Sequence, residues 1–85
     1  MEKITYVITD KMGLHARPAG LLVKLAQKYK AKIMVQKGDQ TNDAKKIFGV
    51  MSLAAKQRDQ LDFFIEGEDE NAAAAALQSF LRDNL

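Results

Sequence analysis

The chain has 85 residues, a formal net charge of +2 and no cysteine. This length predicts one small domain, residues 1–85, with a single modest hydrophobic core. The lack of cysteine excludes disulfides and thiolate metal sites, and one histidine alone predicts no metal site. Nothing indicates a cofactor. The small charge, with no aromatic residues interleaved among the basic ones, indicates no nucleic-acid binding.

The N-terminus lacks the apolar run of a signal peptide, and no segment is apolar over the length that a bilayer requires. We therefore expect a cytoplasmic protein without membrane insertion.

The first predicted element is a strand from about Lys3 to Thr9, in which side chains alternate with a period of two. A helix from Ala16 to about Lys30 follows. Its apolar stripe recurs at helical spacing and is expected to face the core: Ala19, Leu22, Val23, Ala26 and Tyr29. The opposite side of this helix carries Gly20, Leu21 and Lys24.

Two short strands come next, one around Ile33 and Val35 and one from Gln40 to about Asp43, joined by a turn at Gly38 and Asp39. The following segment, from Ile47 to Leu53, is nearly all apolar. A helix this short on a sheet cannot bury every side. We expect Val50 and Leu53 to point inward and Ile47, Phe48 and Met51 to stay partly exposed, which would mark a partner surface. A buried strand or a fully buried helix is the alternative.

A strand from Leu61 to Glu66 and a helix from about Asn71 to near the end complete the chain. The four strands and the long helices each have one apolar face that must be buried against another element, and this predicts an α+β fold. Its layers would be a four-stranded antiparallel sheet and three helices on one face.

The segment with the clearest chemistry surrounds His15. Gly13 permits a tight turn or a positive φ, and Pro18 suits the first turn of a helix. His15 would then lie at the helix start, beside the free N–H groups of Ala16 and Arg17, where anions bind readily. The Arg17 guanidinium offers several donors to a phosphoryl group. The alternative is that His15 only caps the helix.

The chain resembles the HPr family, the histidine-containing phosphocarrier proteins of the bacterial sugar phosphotransferase system. The likeness rests on three segments: the active-site motif Gly13-Leu14-His15-Ala16-Arg17-Pro18-Ala19, the motif from Lys45 to Leu53, and Glu66-Gly67-Glu68-Asp69-Glu70. It covers essentially the whole chain. It implies an HPr-like open-faced sandwich of four antiparallel strands and three helices.

The resemblance implies that His15 takes a phosphoryl group on Nδ1 from enzyme I, which obtains it from phosphoenolpyruvate. His15 would pass the group to IIA domains of sugar transporters, so the chain would be a carrier rather than a stand-alone enzyme. We also expect a monomer. Ala16, Arg17 and Pro18 would hold the phosphoryl group. The residues matching partner-docking positions are Gly20, Leu21, Lys24, Ile47, Phe48 and Met51.

The basic residues of the chain add an expectation about its partners. Acidic surfaces on partner proteins would be attracted by five basic residues, which would speed encounter: Arg17, Lys24, Lys28, Lys45 and Lys46.

The chain departs from the family pattern at one position. Many HPr proteins carry a regulatory serine, the target of HPr kinase, where this chain has Lys46. We therefore expect regulation at this site to be absent. A paralogue in a regulatory phosphorelay, such as the nitrogen-related branch, keeps the histidine motif and remains the alternative.

Overall fold

The computed structural model describes residues 1–85 and contains four strands and three helices. In chain order the elements are β1 (Glu2–Val7), α1 (Ala16–Gln27), β2 (Lys32–Lys37), β3 (Gln40–Asp43), α2 (Ile47–Ser52), β4 (Gln60–Glu66) and α3 (Glu70–Asn84). This is the predicted order. None of the helices combines the length and the apolar character needed to cross a membrane.

The sheet is antiparallel throughout, with strand order β1-β4-β2-β3. Phe63 in β4 lies opposite Ile4 of β1 on one side and Val35 of β2 on the other. Ile65, also in β4, lies opposite Ile33 of β2. Because side chains alternate between the faces of a sheet, these five share one face, and all are buried. The helices cover this face, which confirms the α+β two-layer sandwich.

The first helix ends at Gln27, earlier than the predicted Lys30. The Asp69 carboxylate explains the difference, because it accepts the N–H groups of Lys30 and Ala31, both at 2.8 Å. These amides therefore do not continue the helix, and Tyr29 lies beyond its end, partly buried. The same bonds, the one from Lys30 first, hold the pKa of Asp69 below its usual value. Asp69 thus ties the end of α1 to the start of α3.

The first strand ends at Val7 rather than at the predicted Thr9. The N–H groups of Thr9 and Asp10 leave the sheet and donate to the carbonyl of Leu85, at 2.6 and 2.9 Å. The Thr9 hydroxyl donates to the same oxygen at 2.9 Å. The last residue of the chain therefore anchors the loop that leads to His15.

The short helix α2 buries only one side. Val50 is fully buried and Leu53, just after the helix, is 2% exposed. The other apolar residues point to solvent: Ile47 is 47% exposed, Phe48 87% and Met51 38%. The predicted division into buried and exposed sides is confirmed, and the alternative of a fully buried segment is wrong.

Candidate functional site

His15 occupies the N-cap position of α1 with extended backbone, φ −93° and ψ −176°. Its carbonyl accepts the first intrahelical bond, from the Ala19 N–H at 3.0 Å. Its imidazole makes no capping hydrogen bond and is partly exposed. The backbone of His15 therefore starts the helix, while its ring is left free for chemistry.

The first turn of α1 presents unused donors beside this ring. The first intrahelical N–H donor is that of Ala19, so the N–H groups of Ala16 and Arg17 have no acceptor within the helix. Pro18 has no N–H, and no acidic side chain lies in the first turn to neutralise the positive end of the dipole. The helix start therefore offers two backbone donors to an anion held near His15.

An open cavity of about 240 Å³ adjoins the ring. It brings together residues from α1, the preceding loop and α3, and its lining is mostly polar: Asp10, His15, Arg17, Pro18, Leu21, Asp83 and Asn84. Asp10 and Asp83 were not predicted as site residues, because nothing in their local sequence marks the approach of α3. No group of three or more His, Cys, Asp or Glu side chains could hold a metal ion.

The loop before His15 is held by close backbone contacts. Gly13 has φ +65°, as its predicted tight turn requires, and its N–H donates to the Asp10 carbonyl at 3.0 Å. The Leu14 N–H donates to the Ala55 carbonyl at 2.9 Å. A Cβ on Gly13 would lie 2.6 Å from that same oxygen and 2.7 Å from Cα of Lys56. Glycine is therefore required by both conformation and space.

The exposed apolar side chains predicted for docking lie on α1 and α2, which contact each other. We call them the apolar surface: Leu21, Ile47, Phe48 and Met51. Leu21, 41% exposed, also lines the cavity at His15. Gly20 leaves open space beside it, because a Cβ there would meet nothing within 4 Å. The surface of α1 is therefore open at Gly20, next to a residue of the cavity at His15.

Two hydrogen bonds join the C-terminal end of α1, and the residues just after it, to the segment that precedes α2. The Gln27 side chain donates to the Lys45 carbonyl at 2.9 Å, and the Lys45 ammonium donates to the Tyr29 carbonyl at 2.7 Å. Lys45 is partly exposed, and its ammonium is bonded within the protein while keeping its charge. The other predicted cations are exposed: Arg17, Lys24, Lys28 and Lys46.

Comparison with known proteins identifies relatives along almost the full chain. A family model described as the PTS HPr component phosphorylation site matches residues 2–83. The phosphocarrier protein HPr of Lysinibacillus sphaericus is 39% identical over 83 residues, which cover 98% of this chain and 94% of that protein.

Solved structures of HPr proteins have the same fold as this chain. The histidine-containing phosphocarrier protein of Mycoplasma superposes with a TM-score of 0.93 at 34% identity, covering 96% of this chain and 93% of that one. HPr of Thermoanaerobacter tengcongensis superposes with a TM-score of 0.92 at 40% identity, covering 96% and 92%.

A pair of glycine substitutions tests the loop geometry. Gly13→Ala is expected to lower the free energy of unfolding by at least about 1 kcal/mol, because alanine there has a positive φ and meets backbone atoms. Gly20→Ala is the matched control, and it should raise stability by about 0.5–1 kcal/mol because alanine favours the helix. Urea unfolding of both variants measures the difference, and an equally stable Gly13→Ala would contradict this account of the loop.

Proposed function

The chain belongs to the HPr family of phosphocarrier proteins of the phosphotransferase system, and we propose that His15 carries the phosphoryl group. It would accept the group from phospho-enzyme I and pass it to IIA domains of sugar transporters, with the chain acting as a cytoplasmic monomer. The observation that supports this most is the free imidazole of His15 beside unused backbone donors and Arg17.

In the accepting step, the lone pair of Nδ1 of His15 attacks the phosphorus of the donor's phosphohistidine. The choice of Nδ1 follows the family. A new N–P bond forms while the donor's P–N bond breaks, and the bonding electrons return to the donor's ring. Such a transfer needs mainly alignment and stabilisation of charge. The N–H groups of Ala16 and Arg17 and the Arg17 guanidinium would supply the stabilisation, with Pro18 fixing the helix start.

A carrier must also release the group. The acidic side chains of Asp10 and Asp83 line the same cavity as Arg17. A phosphoryl group on His15 would therefore be attracted by the helix start and by Arg17, and repelled by the two carboxylates. Opposing charges of this kind would keep the phosphorylated form from becoming too stable to hand the group on.

Docking would use the apolar surface together with Gly20 and Lys24. Its side chains are exposed without a partner in the free protein, and burying them against another protein is favourable. The exposed cations lie on α1, just after its end and at the start of α2, and they would speed encounter with acidic partner surfaces. Lys45 keeps its charge, but its ammonium is bonded to the Tyr29 carbonyl and is less free than the exposed cations to pair with a partner's carboxylate.

The first test is acceptance of the phosphoryl group. Incubation with enzyme I and phosphoenolpyruvate should add the mass of one phosphoryl group to the wild-type chain and none to His15→Ala, with circular dichroism showing both folded. A mass gain that persists in His15→Ala would refute His15 as the acceptor. A wild-type chain phosphorylated only by the enzyme I of a regulatory phosphorelay would support the paralogue instead.

The second test concerns docking. Phe48→Glu should raise the KM for phospho-enzyme I by about tenfold or more, since the exposed ring would no longer be buried on binding. The stability of the variant should stay within about 0.5 kcal/mol of wild type, because Phe48 contributes little to the core. Val7→Glu is the matched control, as Val7 is exposed on β1. Unchanged transfer by Phe48→Glu, or an equal loss in Val7→Glu, would contradict this assignment.

The third test concerns Lys46, the N-cap residue of α2, whose side chain makes no capping bond. Lys46→Ser should raise the free energy of unfolding by about 0.5–1.5 kcal/mol, because serine can cap the helix and the lysine charge opposes the dipole.

We propose that this position gives the wild-type chain no switch by HPr kinase. With HPr kinase and ATP, the segment from Lys45 to Leu53 should gain phosphate in Lys46→Ser and stay unmodified in wild type. Stoichiometric phosphorylation of wild-type Ser52 with loss of transfer would overturn this proposal. The Ser52 hydroxyl donates to the Gly49 carbonyl within the same helix.

A further inference from the structure

The Lys37 ammonium, at the end of β2, makes contacts unlike those of an ordinary surface lysine. It donates to the carbonyls of Leu53 and Ala54, at 3.0 and 3.2 Å, and lies 3.3 Å from Oδ2 of Asp59. Its side chain is 32% exposed, so solvent screens these contacts only in part. One side chain therefore reaches both ends of the segment formed by residues 53–59, which we call the support loop.

The support loop has an unfavourable backbone. Ala54 has φ +49° and Arg58 has φ +77°, in the left-handed region that residues with a Cβ rarely adopt. Such conformations persist only when the surroundings hold them. Lys37 bonds the loop at one of these strained residues and pairs with Asp59, the residue after the other.

Asp59 extends the effect of Lys37 to the middle of the support loop. The carboxylate Oδ2 that faces Lys37 also accepts the Lys56 N–H at 2.8 Å. The pKa of Asp59 lies below its usual value, first because of this backbone bond and then because of Lys37. The turn from Lys56 to Asp59 is therefore closed around a carboxylate that Lys37 holds.

The support loop in turn carries the segment that precedes His15. Its Ala55 carbonyl accepts the Leu14 N–H, and Gly13 packs directly on Ala55 and Lys56. At the other end of the segment, Ile8 donates to the Asp59 carbonyl at 3.0 Å and accepts from the Arg58 N–H at 2.8 Å. The chain is thus held to the support loop on both sides of the turn that delivers His15.

We propose that Lys37 is a positioning residue for His15, which acts by clamping the support loop; this rests on the proposed transfer function. Without the ammonium, the support loop loses its two carbonyl bonds and its ion pair. The Leu14 amide bond then opens more often, and the imidazole spends less time aligned with Arg17 and the helix start. Misplacement of a reacting group by about 1 Å slows a reaction strongly.

The experiment compares Lys37→Met with Lys37→Arg, which keeps the charge and the donors. Lys32→Met is the matched control, because Lys32 is an exposed lysine of the same strand with no hydrogen bond or ion pair of its side chain. In transfer from phospho-enzyme I, Lys37→Met should lower kcat roughly three- to tenfold and leave KM within about twofold, because alignment is lost and docking is not. Lys37→Arg should restore most of kcat, and Lys32→Met should match wild type.

Hydrogen exchange provides a readout that does not depend on transfer. In Lys37→Met the Leu14 amide should exchange about tenfold faster, while the Phe63 amide in β4 should change only as far as global stability does. The proposal requires both results in Lys37→Met: the loss of kcat and the selective acceleration of exchange at the Leu14 amide. Unchanged kcat, a rise in KM alone, or equal acceleration at Leu14 and Phe63 would overturn the proposal and leave Lys37 a general stabiliser.

Failure of the proposed carrier function can be distinguished from failure of the Lys37 proposal. A wild-type chain that accepts no phosphoryl group refutes the carrier role, while the exchange measurement still decides whether Lys37 clamps the support loop. Should Lys37→Met fail to fold, Asp59→Asn decides, because it removes the ion pair and keeps the carbonyl bonds. It should shift kcat and Leu14 exchange in the same directions by smaller factors, and no shift in either would overturn the proposal.

Discussion

The hydrogen bond from the Leu14 N–H to the Ala55 carbonyl is the contact on which the site depends. It sets the direction in which the chain enters α1, and hence where the His15 ring stands relative to the free N–H groups of the helix start. Gly13 makes the contact possible, because any side chain there would meet the Ala55 oxygen. The sheet and its buried layer supply a rigid base on which this local arrangement is built.

The core and the proposed site occupy separate parts of the molecule. Its core lies between the helices and one face of the sheet and contains no buried polar or charged residue. The groups proposed for chemistry and docking all lie outside this core, along the exposed side of α1 and on the open side of α2. A protein that binds several partners in turn gains from this division, since docking can then occur without a change in the fold. Phe48 is an example of this division, because it is the most exposed large apolar side chain and lies outside the core.

Local patterns in the sequence predicted every strand and helix, the free face of α2 and the turn at Gly13. What they missed depends on contacts between distant parts of the chain. Asp69 ends α1 from a position far along the sequence, and Leu85 ends β1. The bond from the Lys45 ammonium to the Tyr29 carbonyl was likewise not predicted. Asp10 and Asp83 meet at the cavity only because α3 packs beside α1. No periodicity or motif encodes such pairs.

The central claim is that His15 holds the phosphoryl group and gives it up to another protein. Phosphorus NMR of the chain tests this most directly, after phosphorylation by enzyme I with phosphoenolpyruvate and removal of both by gel filtration. The account predicts a single phosphohistidine signal, assigned to Nδ1, that disappears when an unphosphorylated IIA domain is added as a new signal appears on that domain. A signal from a phosphoserine, or a phosphohistidine that persists in the presence of the active IIA domains of the same cell, would contradict it.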